Sequence, residues 1–287
     1  MDLEKSACPV SEIISRRVST RSFDGKVLAT ETYKIIEAIL AREVAQPRPF
    51  GTALRLSLIG PQTGKPVKLG TYGLISGAAG FVAGAVEPGH GAMEDMGYVL
   101  EGAVLALTRR GLESCWIGGV FDRRKTLLAL DARKGEIVPA VIALGRAAGV
   151  RSLADRIVTG AARSRSRKAL EEILIGGALG PASESMRACL EAVRLAPSAS
   201  NKQPWRIWVE PGDARVVEFY LDEDKLYNNS LGSVHIQNID LGIAMRHFEE
   251  TVRELGFSGA WSRLGDGASN GASRGNGYVP IARWVRV

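Results

Sequence analysis

Cysteine is scarce. Cys8, Cys115 and Cys189 are the only three in 287 residues, too few and too scattered for a disulfide framework or a four-ligand zinc site, and a reducing, cytoplasmic setting is expected. The first 30 residues carry Asp2, Glu4 and Glu12 and no apolar core, so no signal peptide is read there. The longest apolar run, Leu74 to Val86, is short of a membrane span; the chain is expected to be neither exported nor inserted. Only 12 prolines occur, 45% of residues are hydrophobic and 24% charged, which excludes a disordered or fibrous chain. The length suits one large domain or two halves of about 140 residues, either able to fold without staples.

Familiar catalytic signatures are missing too. Gly60-Pro-Gln-Thr-Gly64-Lys65-Pro66 is no phosphate loop: it has one residue too few between its glycines and a Pro where the metal-binding hydroxyl belongs. No Gly-x-Gly-x-x-Gly follows a strand, and His90, His235 and His247 fall in no metal-ligand spacing. His235 and His247, on one helix, are expected to be surface or interface residues. The net charge of +6 attracts anions, but Lys and Arg are spread along amphipathic segments, so nucleic acid is not favoured as a partner. The denser clusters, Arg163, Arg165, Arg167 with Lys168, and Arg16, Arg17 with Arg21, are sized for a phosphate.

What the chain does have is a repeated grammar. Ala92 to Trp116 is apolar at helical spacing up to Gly111, and Ile236 to Trp261 does likewise up to Gly256. Asp95-Met96-Gly97 answers Asp240-Leu241-Gly242, and Trp116 answers Trp261, each 145 positions on; Glu37-Ala38 and Val138-Pro139 return as Glu191-Ala192 and Val279-Pro280 at offsets of 154 and 141. Strands are predicted over Ala53 to Ile59, Ile137 to Leu144, Trp205 to Val209, Val216 to Leu221 and Val279 to Val287. Two mixed α/β halves follow, 1–150 and 151–287, intertwined as one unit, with the junction between Gly149 and Arg167 and a surface loop over Gly265 to Gly277.

Three segments carry possible chemistry. Arg16-Arg17-Val18-Ser19-Thr20-Arg21-Ser22-Phe23 collects three guanidinium groups and three hydroxyls, donors that suit a phosphate and the polar edge of a heterocycle, although a solvated basic helix would read the same way. Gly111-Leu-Glu-Ser-Cys115-Trp116-Ile117-Gly118-Gly119 ends in paired glycines that let backbone N–H groups approach a flat ligand. Ala196-Pro197-Ser198-Ala199-Ser200-Asn201-Lys202-Gln203-Pro204-Trp205 stops a helix at Pro197 and offers small polar residues before a strand. Cys115 is read as a buried small hydrophobe rather than a reactive thiol.

Together these segments resemble the flavin-dependent nitroreductase superfamily, in particular its single-chain, internally duplicated members. The resemblance implies an α+β, nitroreductase-like fold whose two tandem repeats form an intramolecular pseudo-dimer. The start and the Gly-Gly segment stand in the first half, the P-S-x-x-N segment in the second; Ala41 to Leu54 has lost the small polar run and Gly256 to Trp261 the paired glycines. It therefore implies one flavin mononucleotide (FMN) per chain between the pseudo-subunits. By this resemblance Arg17 and Ser19, with Arg16 and Val18 beside them, hold the phosphate and ribityl chain, and Arg21 lies at the N1 and O2 edge, where a cation stabilises the reduced ring. Gly118 turns its N–H to N5, with Trp116, Ile117 and Gly119 on the same side. Arg165 and Arg167 clamp the phosphate, and Pro197, Ser198, Ala199 and Asn201 cover the ring edge. The activity implied is a ping-pong oxidoreductase in which NADH or NADPH reduces FMN and a small-molecule acceptor, nitroaromatic or quinone, is reduced in turn, with no metal and no catalytic side chain. A non-catalytic flavin- or ligand-binding module of the same fold is the alternative. The expected state is a monomer, itself a pseudo-dimer, or a weak homo-oligomer, with no membrane and no nucleic-acid partner.

Overall fold

The computed structural model describes residues 8–61, 69–149, 166–176, 184–212, 214–265 and 277–287. Most of the expected junction, with Arg163 and Arg165, most of the Gly265 to Gly277 loop and all of Gly60 to Pro66 after Pro61 lie outside the described residues. Those described fall into two compact units. One comprises residues 8–46, 53–88 and 100–149; the other takes 47–52, 89–99 and the chain from 166 onward.

The first unit is a four-stranded antiparallel sheet in the order β1-β2-β4-β3, built from β1 (Leu54–Ile59), β2 (Gly80–Val86), β3 (Glu113–Ile117) and β4 (Val141–Gly145). β2 is central and buried along its whole length, so it reads as an unbroken apolar run instead of an alternation. Around the sheet run α1 (Val10–Arg16), α2 (Thr30–Ala45) and α4 (Arg123–Ala129), with the later turns of α3 (Ala92–Arg109), whose first turns, 92–99, belong to the other unit. α2 lies on β1, and its Tyr33 hydroxyl donates to the Ala79 carbonyl at 3.0 Å. One core joins Phe81, Ala83, Cys115, Ile117, Phe121, Val141 and Ala143 with Phe23 from the N-terminal segment. Cys115 is buried there as a small apolar residue, as expected.

The second unit repeats that strand order, β5-β6-β8-β7, with β5 (Trp205–Val209), β6 (Val216–Leu221), β7 (Gly259–Arg263) and β8 (Val279–Arg286). The same non-sequential order in both sheets is a duplicated topology, and the fold is mixed α and β in two similar halves. α5 (Leu170–Ile173), α6 (Glu184–Leu195), α7 (Lys225–Asn228) and α8 (Ile236–Glu254) complete it. α8 lies against α6 and β6, and its Phe248 meets Phe219 and Trp284 edge to face, with centroids 5.5 and 5.2 Å away. His247 corrects an expectation: it is fully buried on this helix, with Nδ1 2.9 Å from the Ala192 carbonyl oxygen, because the inward face of α8 has no surface to offer. His235, just before α8, is exposed as anticipated.

Within this unit α8 crosses the first turns of α3 at the repeated Asp-x-Gly. A Cβ on Gly97 would stand 2.1 Å from the Ile239 carbonyl oxygen, and one on Gly242 1.9 Å from that of Glu94. Only glycine at both positions lets the two backbones meet this closely. Glu94 and Ile239 are themselves 145 positions apart, so the crossing is reciprocal.

Candidate functional site

α1 ends at Arg16, and Arg17 leaves it in an extended conformation. The chain then runs beside the sheet edge. Ser19 bridges Ser114 of β3 in parallel and the Thr20 N–H donates to the Ser114 carbonyl at 2.9 Å; Ser22 bridges Ser76, and the Phe23 N–H donates to the Ser76 carbonyl at 2.8 Å. Gly77 makes this docking possible: at φ +68° a Cβ there would sit 2.3 Å from the Phe23 carbonyl oxygen. Phe23, buried in the core, anchors the far end.

The geometry separates the three arginines. Arg16 is exposed and pairs with Glu12 one turn earlier, and Val18 beside it is exposed as well. Arg17 is 7% exposed, and its Nε is buried with no hydrogen-bond partner. Burial pulls its guanidinium below the usual arginine range, while the nearby Glu101 carboxylate opposes that fall, and it stays charged at neutral pH. Glu101, fully buried on α3, also accepts the Trp116 indole N–H at 2.7 Å. Arg17, Glu101 and Trp116 therefore share one electrostatic cluster, and Arg21 lies half-buried four residues on.

β3 leads from Trp116 and the buried Ile117 straight into Gly118 and Gly119. A Cβ on Gly119 would meet nothing within 4 Å, so open space lies against this backbone. Arg123, at the start of α4, donates from Nη2 to the Gly118 carbonyl at 2.5 Å and stacks over Phe121, 4.6 Å from the ring centroid. Asp122 caps α4 by accepting the Lys125 N–H at 3.0 Å.

In the second unit the structure brings Arg167 together with the P-S-x-x-N segment. Arg167 Nη1 donates to the Asn201 side-chain oxygen at 3.2 Å and Nη2 to the Leu195 carbonyl at 3.3 Å. Ser198 Oγ accepts the Gln203 N–H at 2.9 Å, and the Lys168 N–H donates to Gln203 Oε1 at 2.8 Å. The Ala199 N–H donates to Asp240 at 2.9 Å, and Pro197 is buried at the end of α6. Ser200, Asn201 and Gln203 all take positive φ, between 49° and 54°, the conformation most costly for residues other than glycine.

Asp240 is fully buried with its second oxygen unpartnered, and burial holds its carboxyl well above the usual aspartate range. Its counterpart Asp95 accepts the Phe50 and Thr52 N–H groups at 3.0 and 2.8 Å, and burial raises it too. The repeat Asp95/Asp240 was visible in the sequence, but its role, holding the loop that follows α2 or α6, was not. Glu101 and Arg123 gave no sequence signal.

The donor set suits FMN on two counts. A buried guanidinium with an unpartnered N–H matches a phosphate oxygen, and at the exposed Gly119 no side chain keeps a flat ring from lying against the backbone. Among the described residues no group of three His, Cys, Asp or Glu could hold a metal ion, and no helix is long and apolar enough to cross a membrane.

The fold can now be set beside known proteins. A crystal structure described as a "putative nitroreductase" from Thermotoga maritima matches with a TM-score of 0.62 at 18% identity, over 98% of this chain and 95% of that one. A nitroreductase with bound FMN from Bacteroides fragilis matches at a TM-score of 0.40 and 21% identity, over 51% of this chain and 92% of that chain; a nitroreductase family protein from Clostridium novyi NT matches at 0.40 and 18%, over 49% and 87%. No curated protein matches the chain. The family model described as "Putative TM nitroreductase" matches residues 9–252, and the chain belongs to that family, within the nitroreductase-like superfamily.

Proposed function

We propose that the chain is an FMN-dependent NAD(P)H oxidoreductase. Arg17 carries this reading: a desolvated cation with a free N–H, on a segment laid along the strand that leads to Gly118 and Gly119. Glu101 offsets part of the cost of burying this guanidinium, and the Nε–H that no protein group meets is left for a further anion such as a phosphate. Arg17, with Ser19, would hold the phosphate and ribityl chain, and Arg21 would place positive charge at the N1 and O2 edge. The Gly118 backbone N–H would serve as the donor at N5. Pro197, Ser198, Ala199, Asn201 and Arg167 are proposed to complete the same site, on the strength of their sequence motif. Arg165, outside the described residues, keeps its proposed phosphate role on the same ground. Arg16, exposed and paired with Glu12, would contribute field more than contact.

When bound, FMN would supply two-electron hydride chemistry between NADH or NADPH and an electron-poor acceptor such as a nitroaromatic or quinone. The protein's own share is to bind and orient. Arg17 and Arg21 neutralise charge, Glu101 holds Trp116 in place through its indole N–H, and Gly119 leaves a face open for a planar partner. No side-chain nucleophile or acid is needed.

The test is an absorbance spectrum and flavin-to-protein ratio of the purified chain, followed by anaerobic addition of NADH and of NADPH. One FMN per chain that bleaches with either donor is expected, and Arg17→Gln should weaken FMN binding at least tenfold. Bound FMN that stays oxidised with both donors would make the chain a binding module; no affinity for FMN would overturn the proposal.

A further inference from the structure

Arg123 is a second cation with an unmet valence, and it lies outside the roles given above. Its Nε is buried and has no partner. Burial lowers its guanidinium from the ordinary arginine value, and no carboxylate among the described residues acts on it to oppose that fall. The adjacent Asp122 is committed elsewhere, to the Lys125 N–H at 3.0 Å and to the Lys125 ammonium at 3.6 Å. What fixes Arg123 is the Gly118 carbonyl on one side and the Phe121 ring beneath it. The guanidinium is thus oriented by neutral groups and left without a counter-ion. The side chain is half-buried, so solvent meets part of the guanidinium while the buried Nε–H has no protein partner, and an anion against this group would offset its desolvation.

We infer that Arg123 forms an oxyanion subsite beside the Gly118–Gly119 turn, which selects second substrates bearing a carboxylate or phosphate. The inference rests on the proposed function for its place in catalysis, but not for its chemistry. A planar guanidinium with a free edge pairs with a carboxylate or phosphate in fork geometry, and stacking on Phe121 holds that plane in place. The oxyanion has two possible sources, a carboxylate on an aromatic acceptor or the 2′-phosphate of NADPH. Reduction itself is unchanged by the subsite, which decides only which molecule is held.

Binding, not turnover, tests this. The full chain as purified is titrated calorimetrically with benzoate against benzamide, and with 2′,5′-ADP against 5′-AMP. The expected result is a preference of about tenfold for the anion in one of the two pairs, and the pair that shows it identifies the source. Arg123→Gln should reduce that preference to twofold or less, Arg123→Lys should retain part of it, and Arg124→Gln, at an exposed neighbour, should leave it intact; thermal melts confirm that each variant is folded. Equal affinities within both pairs in the native protein, or a preference that survives in a folded Arg123→Gln, would overturn the subsite. Because the ligands are not turned over, an anion preference in a chain without FMN would keep the subsite and defeat the proposed function, while flavin reduction without any preference would do the reverse.

Discussion

Replacing Gly242 by alanine tests the helix crossing on which the second unit is built. A Cβ there would lie 1.9 Å from the Glu94 carbonyl oxygen, 2.7 Å from its carbon and 2.8 Å from the Tyr98 nitrogen, all of them backbone atoms of α3. A carbon meets a carbonyl oxygen comfortably at about 3.4 Å, so the helices must part by roughly 1.5 Å. No rotamer change can relieve a clash with backbone. Overpacking of this kind costs about 3 kcal/mol, and alanine returns about 1 kcal/mol in helix propensity. The net loss is about 2 kcal/mol, a fall in Tm of about 4–8 °C. The parting would also strain the Tyr98 hydroxyl, which donates to Glu249 at 2.6 Å. Urea midpoints and thermal melts followed by circular dichroism read the effect. The double variant with Gly97→Ala should cost less than the sum of the two, because helices already separated have room for the second methyl. An unchanged or raised Tm for Gly242→Ala, the outcome of propensity alone, would refute the close crossing.

Three further outcomes are expected. Glu94, Asp95 and Asp240 are all raised by burial; a carboxyl whose folded value lies above its unfolded value of about 4 gives stability that is present below that pH and lost as pH rises through the folded value. Asp240→Asn, which keeps an acceptor for the Ala199 N–H, should therefore flatten the decline of the urea midpoint with rising pH, and an unaltered slope would contradict the shift. Gly119→Val should leave Tm within about 2 °C, since no atom stands in the way of its Cβ, yet weaken FMN binding measured by flavin fluorescence; undiminished affinity would remove this turn from the flavin site. Cys115 and Cys189 are buried, and burial pushes the Cys189 thiol up to about 12. A thiol-reactive chromophore should therefore label Cys8 alone in the native chain and all three cysteines in denaturant, with fast labelling of a second cysteine counting against the core described.

The sequence was legible where local pattern and tertiary demand agreed. β5 and β6 fall on the residues expected of them, because their aromatic and β-branched runs also meet the core. α3 and α8 end just before Gly111 and Gly256, both at positive φ, as their helical periodicity predicts. β2 was not legible: a strand of Gly, Phe, Val and Ala buried on both faces loses the alternation by which strands are recognised. β3 was hidden inside the motif that drew attention to its end, and β7, half-exposed at a sheet edge, carries only five residues of mixed character. The basic start gave residue types without orientation. Arg16 and Arg17 are neighbours in sequence, yet one pairs in solvent and the other is buried, because the helix ends between them. The grouping of 47–52 and 89–99 with the second half depends on contacts distant in sequence, and no local window carries that information.

The duplication supplies an internal control for the candidate site. After α2 and after α6 the chain makes equivalent loops, each held by an aspartate of the repeated Asp-x-Gly. In the first copy both oxygens of Asp95 are used, and the only positive φ between residues 47 and 52 is at Gly51, where it costs little. In the second copy Asp240 keeps an unpartnered oxygen, and three residues other than glycine, Ser200, Asn201 and Gln203, hold positive φ. Each such residue costs about 1 kcal/mol or more, and the first copy shows that this topology closes the loop without that cost. Hydrogen bonds accepted by Ser198 and Asp240 and donated by Arg167 and Lys168 hold the second loop in its strained form. Stability alone gives no reason to keep the costlier loop; the proposed role of Pro197, Ser198, Ala199 and Asn201 in holding FMN would supply one, in the copy that retained the small polar run.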